Sequence, residues 1–217
     1  MRVKVFLRMV FIKSQTWNKK QEQNLHKGND QMNTSALLLI DVQKGFDNPA
    51  WGQRNNPEAE SNISKLLATW RTKDLPVIHV KHCSISPQSP LHPDQPGNAF
   101  KDEASPIVGE PEFTKTVNSA FIGTGLEDYL RENNLEFLVV VGLTTDHCVS
   151  TSTRMAGNLG FNVTLISDAT ATFERKDANG ESISAEEMHR VNLASLNGEF
   201  CVVKSTAEVL STLSAGS

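Results

Sequence analysis

The sequence contains no apolar run long enough to cross a bilayer, which takes about 18 or more consecutive apolar residues. Cysteines are few: Cys83, Cys148 and Cys201 form an odd, widely spaced set. That usage argues against a disulfide framework and favours a reducing compartment, so we expect a cytoplasmic protein without a membrane partner. Neither a CxxC pair nor an HExxH motif is present, and a structural zinc site is therefore not expected.

Charge is distributed unevenly along the chain. Residues 1–31 carry seven Lys and Arg and two acids, which leaves 14 basic and 23 acidic residues for the rest. An acidic body lacks the basic face that nucleic-acid binding requires, so no nucleic acid is expected as a partner. The basic segment is faintly reminiscent of an organelle presequence, but its composition favours a disordered or upstream N-terminal extension.

From Ser35 onward, short apolar segments alternate with longer segments of helical period. Residues 36–40 form a continuous apolar run, typical of a strand buried on both faces of a parallel sheet. Residues 58–73 carry four apolar side chains at spacings of three and four, which predicts a helix with one core face. Those side chains are Ile63, Leu66, Leu67 and Trp70. Further strands are predicted at 76–81, 137–141, 162–166 and 200–203, and further helices at 124–133, 146–159, 185–196 and 207–213.

This β-α alternation predicts a three-layer α/β/α fold with a mostly parallel, doubly wound sheet. We expect it to form one domain over residues 35–213. The segment from Ser84 to Glu112 interrupts the alternation, because it holds six of the nine prolines and little periodicity. A loop of this length in a compact domain is usually functional or disordered. We therefore interpret it as a substrate lid, with Leu91, Phe100, Lys101 and Glu103 as its candidate contact residues.

Doubly wound sheets bind ligands at the carboxyl ends of their strands, and Asp41 directly follows the first predicted strand. A carboxylate there can be partly desolvated, which raises its pKa and suits it to accept a proton. An aspartate in this position could equally cap the following turn through its side chain. Taken alone, the residue favours the capping role.

Cys148 lies in the segment Gly-Leu-Thr-Thr-Asp-His-Cys that follows the most β-like run of the chain. We expect it in the first turn of a helix, where free backbone N–H groups would lower the thiol pKa and could hold an oxyanion. The alternative is a small buried hydrophobe, which is the usual role of a free cysteine. Cys83 and Cys201 are predicted to be of that kind.

Lys115 follows the proline-rich segment and would ordinarily be a solvated surface residue. A cation beside Cys148 would lower the pKa of its thiol further and would keep Asp41 ionised. Spacing alone leaves both interpretations open.

Four segments together resemble the isochorismatase-like cysteine hydrolases, a family that includes the nicotinamidases. In chain order they are LIDVQKGF at 39–46, KTVNSAFIGT at 115–124, VGLTTDHCV at 141–149 and SDAT at 167–170. One such segment would be weak evidence, but their common order and spacing make the resemblance specific over about residues 35–213.

The resemblance implies a catalytic triad in which Asp41 is the base, Cys148 the nucleophile and Lys115 the cation that holds both charges. It also implies a cis peptide bond at Leu143–Thr144, which would turn the Thr144 N–H toward an oxyanion that the N–H of Cys148 also binds. We expect no cofactor. The resemblance further suggests a homodimer or a higher homo-oligomer.

The sequence departs from the nicotinamidases in the segment after Asp41, which contains no histidine where they carry metal ligands. We therefore predict a metal-independent cysteine hydrolase that cleaves a C–N bond of a small amide-type substrate through a covalent Cys148 intermediate. A vinyl-ether hydrolase of the isochorismatase type is disfavoured, because those enzymes lack the nucleophilic cysteine. The remaining alternative is a non-catalytic dimeric scaffold or thiol sensor.

Substrate contacts are assigned to side chains that should lie near the carboxyl edge of the sheet. They are Phe46, Trp51, His82, Phe100 and Phe121. His92 is a further candidate for the pocket, whereas His79 is predicted to be a core residue, His147 to be structural and His189 to be solvated.

Overall fold

The computed structural model of the protein describes Met32 and residues 34–215. The extension predicted at residues 1–31 lies outside the described residues. No helix of the described part combines the length and the apolar character needed to span a bilayer.

Six strands form the central sheet, and two short strands form a separate antiparallel pair. The strands are β1 (Ala36–Ile40), β2 (Val77–His82), β3 (Glu112–Lys115), β4 (Phe137–Leu143), β5 (Asn162–Ala171), β6 (Arg175–Lys176), β7 (Ser182–Ile183) and β8 (Val202–Lys204). The sheet order is β3-β2-β1-β4-β5-β8, and every neighbouring pair is parallel.

Five α-helices connect or follow these strands. They are α1 (Ala59–Thr72), α2 (Leu126–Glu132), α3 (Ser150–Asn158), α4 (Ala185–Leu196) and α5 (Thr206–Ala215). A π-helical turn (Thr145–Val149) immediately precedes α3, and short 3₁₀ helices occupy Lys44–Asp47, Pro49–Trp51, Pro96–Asn98 and Asp102–Ala104.

The apolar run of β1 is buried throughout, because its alternate side chains enter two different cores. Leu38 and Ile40 pack in the core formed with α2, α3 and α4. Leu37 and Leu39 pack in the core formed with α1 and α5. The sheet is therefore the middle of three layers, which confirms the predicted α/β/α architecture. The predicted core face of α1 is also confirmed, since all four of its apolar side chains are buried.

The chain builds the sheet outward from β1 in both directions. It runs through β2 to the β3 edge, returns to pair β4 with the other side of β1, and continues through β5 to β8. The strand order therefore changes direction between β1 and β4. Their carboxyl ends form the crevice in which such folds bind ligands.

Strand β3 was not predicted, and only its first residue, Glu112, belongs to the predicted proline-rich loop. This edge strand has the sequence EFTK, in which Glu112 and Thr114 are exposed, Phe113 is half-buried and Lys115 is buried, so it shows no apolar run. The β6–β7 pair was not predicted either, and β5 continues five residues beyond its predicted end at residue 166, to Ala171.

The proline-rich segment packs against the chain that follows β1. The backbone N–H of Lys44 donates to the Ala99 carbonyl at 2.9 Å, and that of Lys101 donates to the Val42 carbonyl at 2.9 Å. Leu91 of this segment is buried in a cluster with Phe46 and Phe173. Its motion as a lid is untested and stays a prediction.

Candidate active site

The carboxyl ends of β1 and β4 meet closely at Gly142. This residue has φ of 124°, and a Cβ added to it would lie 2.0 Å from the Ile40 carbonyl oxygen. Only glycine fits that approach, because both the backbone conformation and the contact exclude a side chain. The close approach brings the segment after β4 next to Asp41, the first residue after β1.

Lys115 reaches Asp41 from the edge of the sheet. It is the last residue of β3, is paired in register with His82, and extends across the end of β2. Its Nζ lies 2.6 Å from Oδ2 of Asp41, and both side chains are fully buried. The alternative of a solvated surface lysine is therefore wrong.

Asp41 shows the features of a strained, desolvated carboxylate. Its φ of 51° lies in the left-handed region, which costs a non-glycine residue on the order of 1–3 kcal/mol. Burial raises the pKa of Asp41, while the Lys115 ammonium and the Cys148 thiol oppose that shift. Oδ1 is buried and has no partner in hydrogen-bond geometry among the described residues, so the side chain does not cap the following turn.

Cys148 lies beside this pair, on the π-helical turn between β4 and α3. The Cys148 sulfur, one carboxylate oxygen of Asp41 and one ring nitrogen of His82 all lie within 4.8 Å of one another. The Cys148 sulfur is also 3.7 Å from Oδ1 of Asn118. The cysteine is thus a buried member of the core, as one interpretation held, and also a neighbour of charged groups.

The prediction that the Cys148 thiol has a lowered pKa is wrong. Burial and the nearby Asp41 carboxylate raise the pKa of this thiol to about 12, and the Lys115 ammonium opposes them without prevailing. The physical reason is that the group is nearly excluded from solvent and faces an anion as well as a cation. The resting sulfur is therefore a neutral thiol that needs a base.

His82 completes the polar cluster. Its Nδ1 lies 3.1 Å from the Lys115 Nζ. Burial and the Lys115 charge lower the pKa of His82 to about 4, and a hydrogen bond to the backbone of Val117 opposes that shift. The imidazole is therefore neutral at physiological pH.

The other side chains assigned to substrate contacts lie in three different places. Phe46 and Trp51 form a cluster with Phe173, with ring centroids 5.4–6.3 Å apart. Phe100 packs against the His79 ring and beneath the Lys81 ammonium. Phe121 stacks on Phe161, the residue that precedes β5.

Three residues near the site were missed by the sequence analysis. Asn118 contacts the sulfur, and its position within the second motif segment was the available signal. Phe173 contributes to the aromatic cluster. Asp146, two residues before the cysteine, is bound by Arg175 at 2.8 Å and by the Thr172 hydroxyl at 2.5 Å, which ties the π-helical turn to the end of β5. Nothing local in the sequence indicates the last two contacts.

Two histidines differ from their predicted environments. His189 is buried, and its Nδ1 lies 2.9 Å from the Thr145 hydroxyl, so the prediction of a solvated residue is wrong. It lies on the core side of α4, where its ring reaches the π-helical turn. His147 is largely exposed and contacts Asp146 only at 3.5 Å, which does not fit a structural role. His79 is fully buried, as predicted.

A divalent metal does not fit the cluster of Asp41, His82 and Cys148, although their donor atoms lie close together. The Lys115 ammonium already lies within hydrogen-bond distance of the first two. A second cation among these donors would be repelled by the buried ammonium.

The Leu143–Thr144 peptide bond is cis, as the resemblance implied. A parallel α/β sheet with a buried carboxylate, ammonium and thiol at its switch point agrees with the class of hydrolases that the sequence resembles. The isochorismatase domain family matches residues 35–208, and the chain therefore belongs to the isochorismatase family of hydrolases.

Relatives of known sequence or structure agree with this assignment. The uncharacterized isochorismatase family protein YrdC of Bacillus subtilis is 49% identical over 175 residues, which is 81% of this chain and 94% of that protein. The crystal structure of an isochorismatase-family protein from Chromobacterium violaceum has a TM-score of 0.82 and 48% identity, and the match covers 84% of this chain and 95% of the other. Nicotinamidase 3 of Arabidopsis thaliana is 27% identical over 75% of this chain and 80% of its own length.

Proposed function

We propose that this protein is a metal-independent cysteine hydrolase that cleaves the C–N bond of a small amide-type substrate. The observation that carries the proposal is the buried Asp41–Lys115 pair beside the Cys148 thiol. A neutral thiol, a carboxylate with an unpartnered oxygen and a fixed cation are the components that nucleophilic catalysis on a carbonyl requires.

The first half of the reaction transfers the thiol proton to Asp41 as sulfur attacks the carbonyl carbon. The C–S bond forms, and the carbonyl oxygen becomes an oxyanion that the backbone N–H groups of Thr144 and Cys148 are proposed to bind. Asp41 then passes the proton to the nitrogen, the C–N bond breaks, and the amine leaves. The negative charge moves between the Asp41 carboxylate and the Cys148 thiolate during these steps. The Lys115 ammonium lies beside both groups and stabilises the charge on either one.

The second half of the reaction hydrolyses the thioester. Asp41 accepts a proton from water, the resulting hydroxide attacks the acyl carbon, and the C–S bond breaks. The proton returns to sulfur, so the acid product leaves and the resting thiol is restored.

The substrate is expected to carry an apolar portion. Phe46, Trp51 and Phe173 form an aromatic cluster around Leu143, the residue that precedes the proposed oxyanion site. Such a surface can bury an apolar group beside the reacting carbonyl. The nicotinamidase relative, whose name gives a small aromatic amide as its substrate, is consistent with this class.

The decisive experiment looks for the acyl enzyme. The protein is incubated with a pool of small amides, quenched in acid and weighed intact, and the adduct is mapped by peptide mass spectrometry. We expect an acyl adduct on Cys148 that Cys148→Ala abolishes. Cys201→Ala is the matched control, because it removes an equally buried thiol, and it should retain the adduct.

Other outcomes would favour the alternatives. A Cys148→Ala variant that hydrolyses substrate at the wild-type rate contradicts a covalent mechanism, and a vinyl-ether hydrolase would behave in this way while still requiring Asp41. A wild-type protein that forms no adduct and releases no amine from any amide would favour the scaffold or thiol sensor.

A further inference from the structure

We infer that His82 is a positioning residue for the proposed reaction, which holds the Lys115 ammonium in place through its Nδ1 atom. The inference rests on the proposed function, but it concerns a residue that the Asp41–Lys115–Cys148 triad does not include. The contact that carries it is the 3.1 Å distance between the Lys115 Nζ and the His82 Nδ1.

The chemistry of the two groups decides the direction of this hydrogen bond. An ammonium group has only N–H donors, so Nδ1 must accept and the ring proton must reside on Nε2. The hydrogen bond between His82 and the Val117 backbone favours the protonated ring, as expected where an imidazole N–H donates to a carbonyl. Both contacts therefore select the same neutral tautomer.

The backbone of His82 is also fixed by hydrogen bonds. Its N–H donates to the Gln43 Oε1 at 2.9 Å, and its carbonyl accepts from the Gln43 Nε2 and the Asn98 Nδ2, each at 3.0 Å. Gln43 itself lies two residues after Asp41 and is fully buried. The imidazole therefore projects from a rigid point that is linked to the segment carrying Asp41.

This arrangement distributes the three N–H groups of Lys115. One donates to Asp41 and a second donates to His82, while the charge of the ammonium opposes the rise in the pKa of the Cys148 thiol. Without an acceptor at His82, the ammonium could rotate or withdraw toward Asp41. The negative charge that develops on sulfur would then lose a fixed counter-charge.

The test uses two variants of His82 that distinguish the effect of its hydrogen-bond acceptor from the effect of its side-chain size. His82→Leu retains an apolar side chain of similar size but removes the acceptor. His82→Asn places an amide oxygen close to the position of Nδ1. We expect kcat to fall by about ten- to a hundredfold in His82→Leu with KM nearly unchanged, because displacement of a catalytic group by about 1 Å can have an effect of that size. Most of the loss should be recovered in His82→Asn.

A second measurement does not depend on turnover. Alkylation of Cys148 by iodoacetamide, resolved by peptide mass spectrometry in a Cys83→Ser background, reports how well the ammonium stabilises the thiolate. We expect slower alkylation in His82→Leu and recovery in His82→Asn. The serine background removes the half-buried thiol that neighbours His82.

Several results would overturn the inference. A change in KM alone would make His82 a substrate contact, and equal losses in both variants would show that an acceptor at this position is not what matters. If the protein hydrolyses no amide, or if Cys148→Ala remains active, the proposed function fails first. The alkylation rates then decide the role of His82: unchanged rates overturn it, and the Leu and Asn pattern supports it.

Discussion

Cys148 and Cys201 are two buried cysteines of the same hydrophobic core, and they differ in their neighbours. Both are less than 10% exposed, and burial raises the pKa of both thiols to about 12. Cys148 faces a carboxylate and an ammonium, whereas the charged group that acts on the thiol of Cys201 is the Arg154 guanidinium. A high thiol pKa is therefore common to both, and only Cys148 has a base.

This difference indicates how a buried cysteine becomes a nucleophile in this protein. A lowered pKa would make the sulfur a resting thiolate, which is the usual expectation for a reactive cysteine. Here the thiol stays protonated, and its proton must move to Asp41 as the bond to substrate forms. Four predictions test this account, from the largest expected effect to the smallest.

Replacing the base should have the largest effect. Asp41→Asn keeps the size of the side chain but cannot accept the thiol proton, so we expect turnover to fall by about 10²- to 10⁴-fold. Asp47→Asn is the matched control, because Asp47 is an acidic partner of another buried lysine, Lys101, which also pairs with Glu60. Steady-state rates of amine release from a responsive amide measure both variants. Equal rates in Asp41→Asn and wild type would show that Asp41 is not the base for Cys148, so that Cys148 would have no activating group that Cys201 lacks.

Thiol alkylation should distinguish the cysteines by accessibility rather than by activation. A thiol pKa near 12 leaves about three thousandfold less thiolate at neutral pH than an ordinary thiol, whose pKa is near 8.5. We expect half-buried Cys83 to react first, and the rate at Cys148 to rise about tenfold per pH unit from pH 7 to 10. Site-resolved mass spectrometry measures these rates. Early labelling of Cys148 with a plateau near neutral pH would show a resting thiolate and remove the need for a base.

Gly142 tests whether the close approach of β1 and β4, which brings the segment carrying Cys148 next to Asp41, is important for stability. In Gly142→Ala the new methyl group would lie 2.0 Å from the Ile40 carbonyl oxygen, and we expect a loss of about 3 kcal/mol or more in the free energy of unfolding. Gly160→Ala is the control, because it also has a positive φ but meets no atom within 4 Å, and about 1 kcal/mol is expected there. Denaturant titrations measure both. Similar losses in the two variants would show that the close approach is not important for stability.

The pH dependence of turnover should have a displaced acid limb. Asp41 must be ionised to accept a proton, and burial raises its pKa in the folded protein. Activity is therefore complete above that pKa and is lost as the pH falls through it, with a midpoint above the ordinary aspartate value of about 3.9. A profile of kcat/KM against pH measures the midpoint. An acid limb at or below the ordinary value would mean that a different group is the base.

Much of the fold could be predicted because its signals are local. The run of residues 36–40 has to be buried on both sides, and the spacing of Ile63, Leu66, Leu67 and Trp70 confines them to one helix face. The edge strand Glu112–Lys115 escaped prediction, because half of its residues contact solvent and it carries no apolar run. The apolar pattern that identifies a strand in the sequence becomes weaker where the strand is less buried.

The residues of the site could be predicted from the sequence, but their pKa values and charge interactions could not. The four motif segments identify Asp41, Lys115 and Cys148, and the switch in strand order explains why they can meet. The direction of the thiol pKa shift was wrongly predicted, because it depends on how completely the sulfur is buried and on which charges surround it. Neither quantity can be obtained from the order of residues.

The pattern of apolar residues alone decided the layers of the fold, and the motif segments indicated its family. Only the folded chain decided that Lys115 at the sheet edge reaches across β2 to the Asp41 carboxylate, that a neutral histidine accepts a hydrogen bond from this lysine, and that Asn118 reaches the sulfur. Local patterns arise from neighbours along the chain, whereas pKa values and hydrogen bonds depend on distances in space. Asp41 and Cys148 are 107 positions apart in the sequence, and their contact exists only because parallel strands end at the same edge of the sheet.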